Sequence, residues 1–511
     1  MKRILFAALA FASCASEPAS HPSLQPIVLT GEITRADHQT YREIPFTVPP
    51  GTQSITIDFS YTGKENRAVI DIGVRDPQGQ RGWSGGNKSH IEIGAQSATP
   101  SYRAGPIQPG EWTLVLGIPN IRERQTAVYT ATIAFDAQPA ARSRDPAGPP
   151  RLDKTLAAGP AWYRGDFHTH TAHSDGSCDL IAAASASSNP PSARGPCPAI
   201  HTFDAARKAG LDFVAVTDHN TITQLADIAR DQNRYPDTLL IPGAEITTFS
   251  GHANVIGNTD FLDFQLGSPR LPTLAKLFDQ VEAQDAFLSI NHPSLPSGEA
   301  CMGCGWTVKD TDWSRVTAIE VINGASMRTS GPEGAFNGIA FWEKLLREGH
   351  RITAIAGSDN HDATDTTGAR QSPVGTPATV VYASELSVQG IIAGVKSGRV
   401  FVDVAGLPDA RLDVEAHAGV RQARMGGGLT LGSGEDACLT VDVVLTSHPT
   451  RIAIVTNGLV SMEPQTPCGP ALSFQLTMEE EAAFGWAYAT VRDLDGKLLL
   501  LGNPIYFRRA G

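Results

Sequence analysis

The sequence predicts a multidomain chain: a central α/β unit, read as a parallel sheet or barrel, flanked by N- and C-terminal β-sandwich-like domains. Three observations carry this. Between about 161 and 403, near-continuous apolar runs alternate with helix-like stretches, the pattern of strands buried on both faces. On either side, short alternating or β-branched runs are separated by Pro/Gly turns. At 511 residues the chain is also long enough to hold more than one core.

Taken in order, "MKRILFAALAFASCASEPAS" places Lys2 and Arg3 before a nine-residue apolar run, Ile4 to Ala12. That run is too short for a bilayer, which takes about 20 residues, so 1–20 reads as a secretory signal. "FASC" at 11–14 also resembles a lipobox, and the sequence leaves a lipid anchor at Cys14 and simple cleavage both open. The expected location is therefore exported, periplasmic or in the cell envelope. Residues 25–137 are read as a β-sandwich from "QSITIDFSY", "AVIDIGVRD", "WTLVLGI" and "VYTATIAF". "GWSGG" at 82–86 matches G-x-S-x-G, but no helix pattern follows it, and the match is taken as chance. The Pro- and Ala-rich stretch 138–160 is a linker.

In 161–403 the strands are "LDFVAVTDHN", "TLLIPGAEIT", "FLSINHP", "VTAIEVING" and "ITAIAGSDNH", with helices expected near 202–209, 222–231, 273–284, 336–348 and 386–396. "LTVDVVLTS", "TRIAIVTNG", "GWAYATVRD" and "KLLLLGN" make 404–511 a second β domain. Without Cys14, six cysteines remain: Cys178, Cys197, Cys301, Cys304, Cys438 and Cys468. An even number in an exported chain suggests disulfides, with neighbours paired as one of the connectivities allowed. "CMGC" would otherwise be half a zinc knuckle, but no second pair has suitable spacing. The net charge of −12 argues against a broad nucleic-acid-binding face.

"GDFHTHTAHSDG" (165–176) packs three histidines and two aspartates into twelve residues. The same habit recurs along the central unit, where apolar runs end in residues able to bind metal. His168 and His170 follow the first strand and His219 lies in "VAVTDH". Glu245 is in "PGAE", His292 in "LSINH", and Asp359 and His361 in "IAGSDNH". Asp175 and His252 are added from adjoining turns. In parallel α/β barrels, C-terminal strand ends converge on one mouth, so these dispersed residues would be neighbours. The two imidazoles of "HTH" share a face on an extended segment. A carboxylate such as Glu245 can bridge two cations about 3.5–4 Å apart. A His/Asp/Glu set without cysteine suits Zn, Mn or Fe. His173, His201 and His350 fall outside the pattern, and His173 is either a spectator or a substrate contact.

The ordered set "DFHTHTAHSDG", "VTDHN", "GAEIT…GHANVIG", "NHP", "IEVING" and "GSDNH" resembles the polymerase-and-histidinol-phosphatase (PHP) metallohydrolase superfamily over roughly 160–400. The flanking β regions and "LGNPIYF" resemble an exported branch that includes carbaryl-hydrolase-like enzymes. The resemblance implies a distorted (β/α)7 barrel with two or three divalent metals. It implies one metal on His168, His170, Glu245 and Asp359, and a second on Asp175, His219, His292 and Glu245. His252 and His361 would complete a third site or contact the second. It further implies hydrolysis by a metal-bridging hydroxide, with no side-chain base assigned.

The leading expectation is a phosphoesterase acting on a small-molecule ester. A phosphate needs a cation, and Arg328 in "NGASMRTSG" is the candidate substrate-binding residue, with Arg370 second. The alternative is a carboxyl- or carbamate-ester hydrolase. Phe249, Trp306, Trp313, Phe336, Phe341 and Trp342 near the motifs would suit its apolar pocket. A non-catalytic metal-binding module is a third reading, but it predicts missing ligands and none of the nine is missing.

Overall fold

Short apolar runs between 155 and 357 pair side by side because most have no polar face to show water, and the first of them is buried over Tyr163–Asp166. In the computed structural model, which describes residues 24–138, 153–180, 193–445, 449–462 and 472–510, seven of them are neighbours. In spatial order they are Thr353–Gly357, Ala318–Asn323, Phe287–Ile290, Gly251–Ile256, Leu239–Thr248, Phe213–Val216 and Thr155–Asp166. Past the two outer strands, Thr169 and Asn360 form a parallel bridge. The Asp359 and His170 amides donate to the His168 and Asn360 carbonyls, each at 2.9 Å. The first and last strands therefore meet at the rim that carries the histidines.

The regular (β/α)7 alternation expected from sequence is not what forms. The described residues hold six α-helices in all. Leu239–Thr248 and Gly251–Ile256 make an antiparallel hairpin, and the second arm also pairs antiparallel with Phe287–Ile290. The cause is local: only Phe249 and Ser250 separate the arms, whereas a parallel crossover takes a dozen or so residues. "NGASMRTSG", for which no helix was expected, holds the helix Gly324–Ser330, started by the Asn323 side chain accepting from the Ala325 and Ser326 amides. The first strand begins at Thr155, inside the expected linker, because residues from 155 onward pair with Ala378–Ser387.

Residues Ile27–Asp136 form two four-stranded antiparallel sheets packed face to face around Ile57, Trp112, Leu114 and Ile133. "GWSGG" lies on the strand Gly79–Gly85 and at its end, and the Ser84 hydroxyl bonds the Tyr102 hydroxyl at 2.9 Å, so it is no nucleophile elbow. This sandwich is fused to the central unit. Trp83 and Val115 belong to the central apolar core, and Tyr41 stacks on Phe249 with centroids 4.8 Å apart. The C-terminal strands are likewise not a detached domain. Leu498–Gly502 pairs with Val400–Asp403, and Asn503 bonds both the amide and the carbonyl of Ala354 at 2.7 and 2.9 Å. "LGNPIYF" thus pins the C-terminal part to the last central strand.

Cys178–Cys197 and Cys301–Cys304 are disulfides, so "CMGC" is not a zinc knuckle, and the pairing fits an oxidising compartment. The signal segment with Cys14, most of the linker, and Cys468 lie outside the described residues. No helix among the described residues is long and apolar enough to cross a membrane.

Candidate metal centre

All nine residues singled out in the sequence converge. Glu245 is the hub, its oxygens 3.4 Å from both His168 Nε2 and His170 Nε2, 3.0 Å from His219 Nδ1, 3.3 Å from His252 Nδ1 and 3.5 Å from His292 Nε2. Asp359 Oδ1 lies 3.3, 3.1 and 3.7 Å from His168, His170 and His361. Asp175 Oδ1 lies 3.8, 3.7 and 3.3 Å from His170, His219 and His361.

Strand ends alone do not achieve this. Glu245 sits inside its strand, bridged in parallel to His219. His252 opens the return arm of the hairpin, opposite Thr247, because an antiparallel strand starts at the rim where its predecessor ends. His292 and Asp359 are held at φ of 28° and 53°, a left-handed backbone that non-glycine residues seldom adopt and that clusters at functional sites.

The donor atoms fall into three overlapping groups, each within 4.8 Å: His170, Asp175, His219 and His361; His168, His170 and Asp359; His168, Glu245 and His292. This differs from the grouping the resemblance implies. His292 joins His168 rather than Asp175, because its Nδ1 donates to the Cys304 carbonyl (3.1 Å) and its amide to Glu320 (2.9 Å). His361 joins Asp175 and His219.

Four buried atoms of these residues make no well-formed hydrogen bond, although oppositely charged groups lie at ion-pair distance from most of them: His168 Nε2, Asp175 Oδ1, Glu245 Oε2 and His252 Nε2. Buried polar atoms are seldom left so, and all four are metal donors, so the residues fit divalent cations. The electrostatics agree. Burial would push Glu245, Asp175 and Asp359 up, yet the imidazoles around them hold all three well below the carboxylate range. Burial also opposes charge on His219 and His361, yet Glu245 and Asp175 raise His219 to about 9, and Asp175 raises His361 to about 10. Burial, reinforced by His361 and His219, depresses His170 to about 4. Three carboxylates at one buried point demand positive charge, which bound cations would supply.

Several residues that sequence reasoning did not assign hold these groups in place. Glu320 accepts from the His168 Nδ1 side at 3.0 Å, leaving Nε2 for the centre, and also binds the His292 amide and the Asn323 amide nitrogen. The only cue in sequence was one acid inside the apolar run "AIEVIN". Asn291 Nδ2 donates to Glu245 Oε1 at 2.9 Å. Asp218, beside His219, accepts from Thr171 and Ser174. Replacing Glu320 by glutamine is expected to lower metal affinity about 10–100-fold. A chelator-competition titration checks this, and unchanged affinity would deny Glu320 its orienting role.

The structure does not bring Arg328 into the site. It is exposed near the end of its helix, and its guanidinium donates to the Gly368 and Ala369 carbonyls. Arg370 is tied to Asp362 and Asp179. Arg328→Ala is expected to leave kcat/KM within about twofold, as for other surface changes; a tenfold loss would restore it to the site. His173 contacts Thr223 and Asp227, not the centre. Of the aromatics expected at the pocket, Phe249 lines it, while Trp306 and Trp342 are core.

Fold and site together define a candidate polynuclear metal centre at the rim of an α/β unit. No family model matches the chain, and no curated protein matches it. Among solved structures, it is similar to a two-domain protein of Bacteroides vulgatus containing a predicted PHP-like metal-dependent phosphoesterase. Identity is 19%, covering 71% of this chain and 100% of that chain, with a TM-score of 0.36. It is also similar to a candidate metal-dependent phosphoesterase of Bifidobacterium adolescentis, at 15% identity over 41% of this chain and 92% of that chain, TM-score 0.27.

Proposed function

We propose that this chain is a metal-dependent hydrolase of small esters, a PHP-type enzyme of an exported branch that resembles carbaryl-hydrolase-like proteins. The observation that carries the reading is the cluster of nine imidazole and carboxyl groups, in which four buried donor atoms make no well-formed hydrogen bond. Two or three divalent cations (Zn, Mn or Fe) held there would polarise the ester oxygen and lower the pKa of water. The chain's own residues fix the geometry. Glu320 sets the tautomer of His168, the Cys304 carbonyl sets that of His292, and the Asp359 carbonyl sets that of His361. Asn291 steadies the Glu245 hub.

The ester type is argued from the adjoining cavity of about 260 Å³, whose floor includes Asp175, His219 and His252. Among the described residues its lining holds no lysine or arginine; it holds Tyr41, Trp83, Phe249 and an acid, Asp71. That favours a carboxyl or carbamate ester over a phosphoester. On the side of a phosphomonoester stands Lys88, whose Nζ donates to the Ser174 carbonyl at 2.9 Å, beside the centre. Assays of p-nitrophenyl acetate, 1-naphthyl carbamate and p-nitrophenyl phosphate with Mn or Zn added separate the two. Ester or carbamate cleavage without phosphatase activity supports the first. Phosphatase activity alone selects the second. No cleavage of any of them by metal-loaded protein overturns the hydrolase reading and returns the chain to a metal-binding module.

A further inference from the structure

The cavity above the metal centre is shared between two units of the chain. The central unit gives the floor, with Phe249 and Met302 on the wall, while the N-terminal sandwich gives Tyr41, Asp71 and Trp83. These walls are built rather than incidental. The Trp83 indole fits where Gly73 and Gly117 carry no side chain; a Cβ at either would come within 2.5 or 2.7 Å of the ring. Trp83 also packs on Phe264, centroids 4.8 Å apart.

Asp71 differs from the other acids in the region. It is half-buried on the cavity wall, and among the described residues no hydrogen bond or ion pair reaches its carboxylate. Burial raises it to about 7, against the opposing pull of the His219 imidazole. An ionised carboxylate accepts hydrogen bonds only, and among the described residues no side chain donates one to Asp71. The described lining holds no lysine or arginine to neutralise it. The carboxylate is therefore free to accept from a ligand that brings a donor.

We propose, resting on the hydrolase reading, that the N-terminal sandwich completes the substrate pocket and selects an ester whose non-reacting part is a single flat apolar ring bearing a basic nitrogen. The ring lies against the surface that Tyr41, Trp83 and Phe249 form together, the nitrogen meets Asp71, and the ester group faces His219 and His252. A cavity of about 260 Å³ has room for one ring with a short arm. The polarity is complementary: an acid on the sandwich wall for the cationic end, and the metal centre for the oxygens of the ester.

Product-like probes test the pocket without requiring turnover. Tyramine and 4-propylphenol share a ring, a hydroxyl and chain length, and differ in the amine. Calorimetric titration of the full-length protein is expected to give tyramine about a tenfold or larger advantage, the effect of one charge-assisted contact. Asp71→Asn should abolish that advantage while leaving 4-propylphenol binding unchanged. Tyr41→Ala should weaken both probes together. Equal binding of the two probes to wild-type protein, or an amine preference that survives Asp71→Asn, overturns the proposal. Metal content measured on the same samples keeps the two readings apart. Amine selectivity in protein that takes up no metal supports the pocket and defeats the hydrolase. Metal-replete, ester-cleaving protein without selectivity defeats the pocket alone.

Discussion

Replacing Glu245 by alanine is expected to abolish metal retention and to lower kcat/KM by about a thousandfold or more. That is about 4 kcal/mol of transition-state stabilisation at about 1.4 kcal/mol per decade. The size follows from its position. Its two oxygens lie within 3.5 Å of five of the six imidazoles in the cluster, and it is 1% exposed. No other carboxylate in the centre reaches so many. Removing it leaves those imidazoles without a shared anion and Asn291 without its acceptor. Elemental analysis and steady-state kinetics on the purified variant, with circular dichroism as a check on folding, measure the outcome. A folded Glu245→Ala protein that keeps metal and activity would place the reacting centre elsewhere.

Asp166→Ala is expected to give the largest loss of stability, about 3–5 kcal/mol, without removing any candidate ligand. Asp166 is fully buried, and its carboxylate accepts from the amides of His168 (3.1 Å), Ser358 (3.0 Å) and Gly375 (2.7 Å). It therefore ties the first strand to the segment after the last one, at the place where the two ends of the seven-strand run meet. Burial pushes its carboxyl up, and the three amides pull it down. Alanine would leave three buried donors unmade, at about 1–3 kcal/mol each before relaxation. Urea denaturation should show a lower midpoint with an unchanged slope. Metal affinity should fall too, because His168 and Asp359 are carried on the strands that Asp166 joins. A midpoint equal to that of the wild type would mean the rim is held by other contacts.

The candidate ligands were legible because each belongs to a short motif with its own chemistry: two histidines two apart in "HTH", an acid in "PGAE", an Asp–Asn–His run in "GSDNH". Placing them at strand ends gathered most of them, whereas Glu245 and His252 reach the rim through a hairpin. Which groups share a cation was not legible, since that depends on side-chain tethers such as His292 to the Cys304 carbonyl. Glu320 was hidden as one acid in an apolar strand. Arg328 misled because a lone arginine after a strand end gives no sign of which carbonyls it meets. Asp71, Tyr41 and Trp83 were invisible as site residues, because nothing in the local sequence of a β-sandwich says which edge faces a rim about a hundred residues further along the chain. The fold class shows the same division. Apolar periodicity marked out strands, helices and two flanking β regions, whereas the antiparallel hairpin and the merging of the C-terminal strands with the central sheet are long-range pairings without a sequence signature.

The most direct test is anomalous diffraction from crystals of the wild-type protein, prepared without chelator and supplied with Zn or Mn. The account predicts at least two anomalous peaks within coordination distance of Glu245, His168 and Asp175. Crystals soaked in either metal that show no peak among the nine side chains, while the same protein cleaves esters in solution, would contradict it.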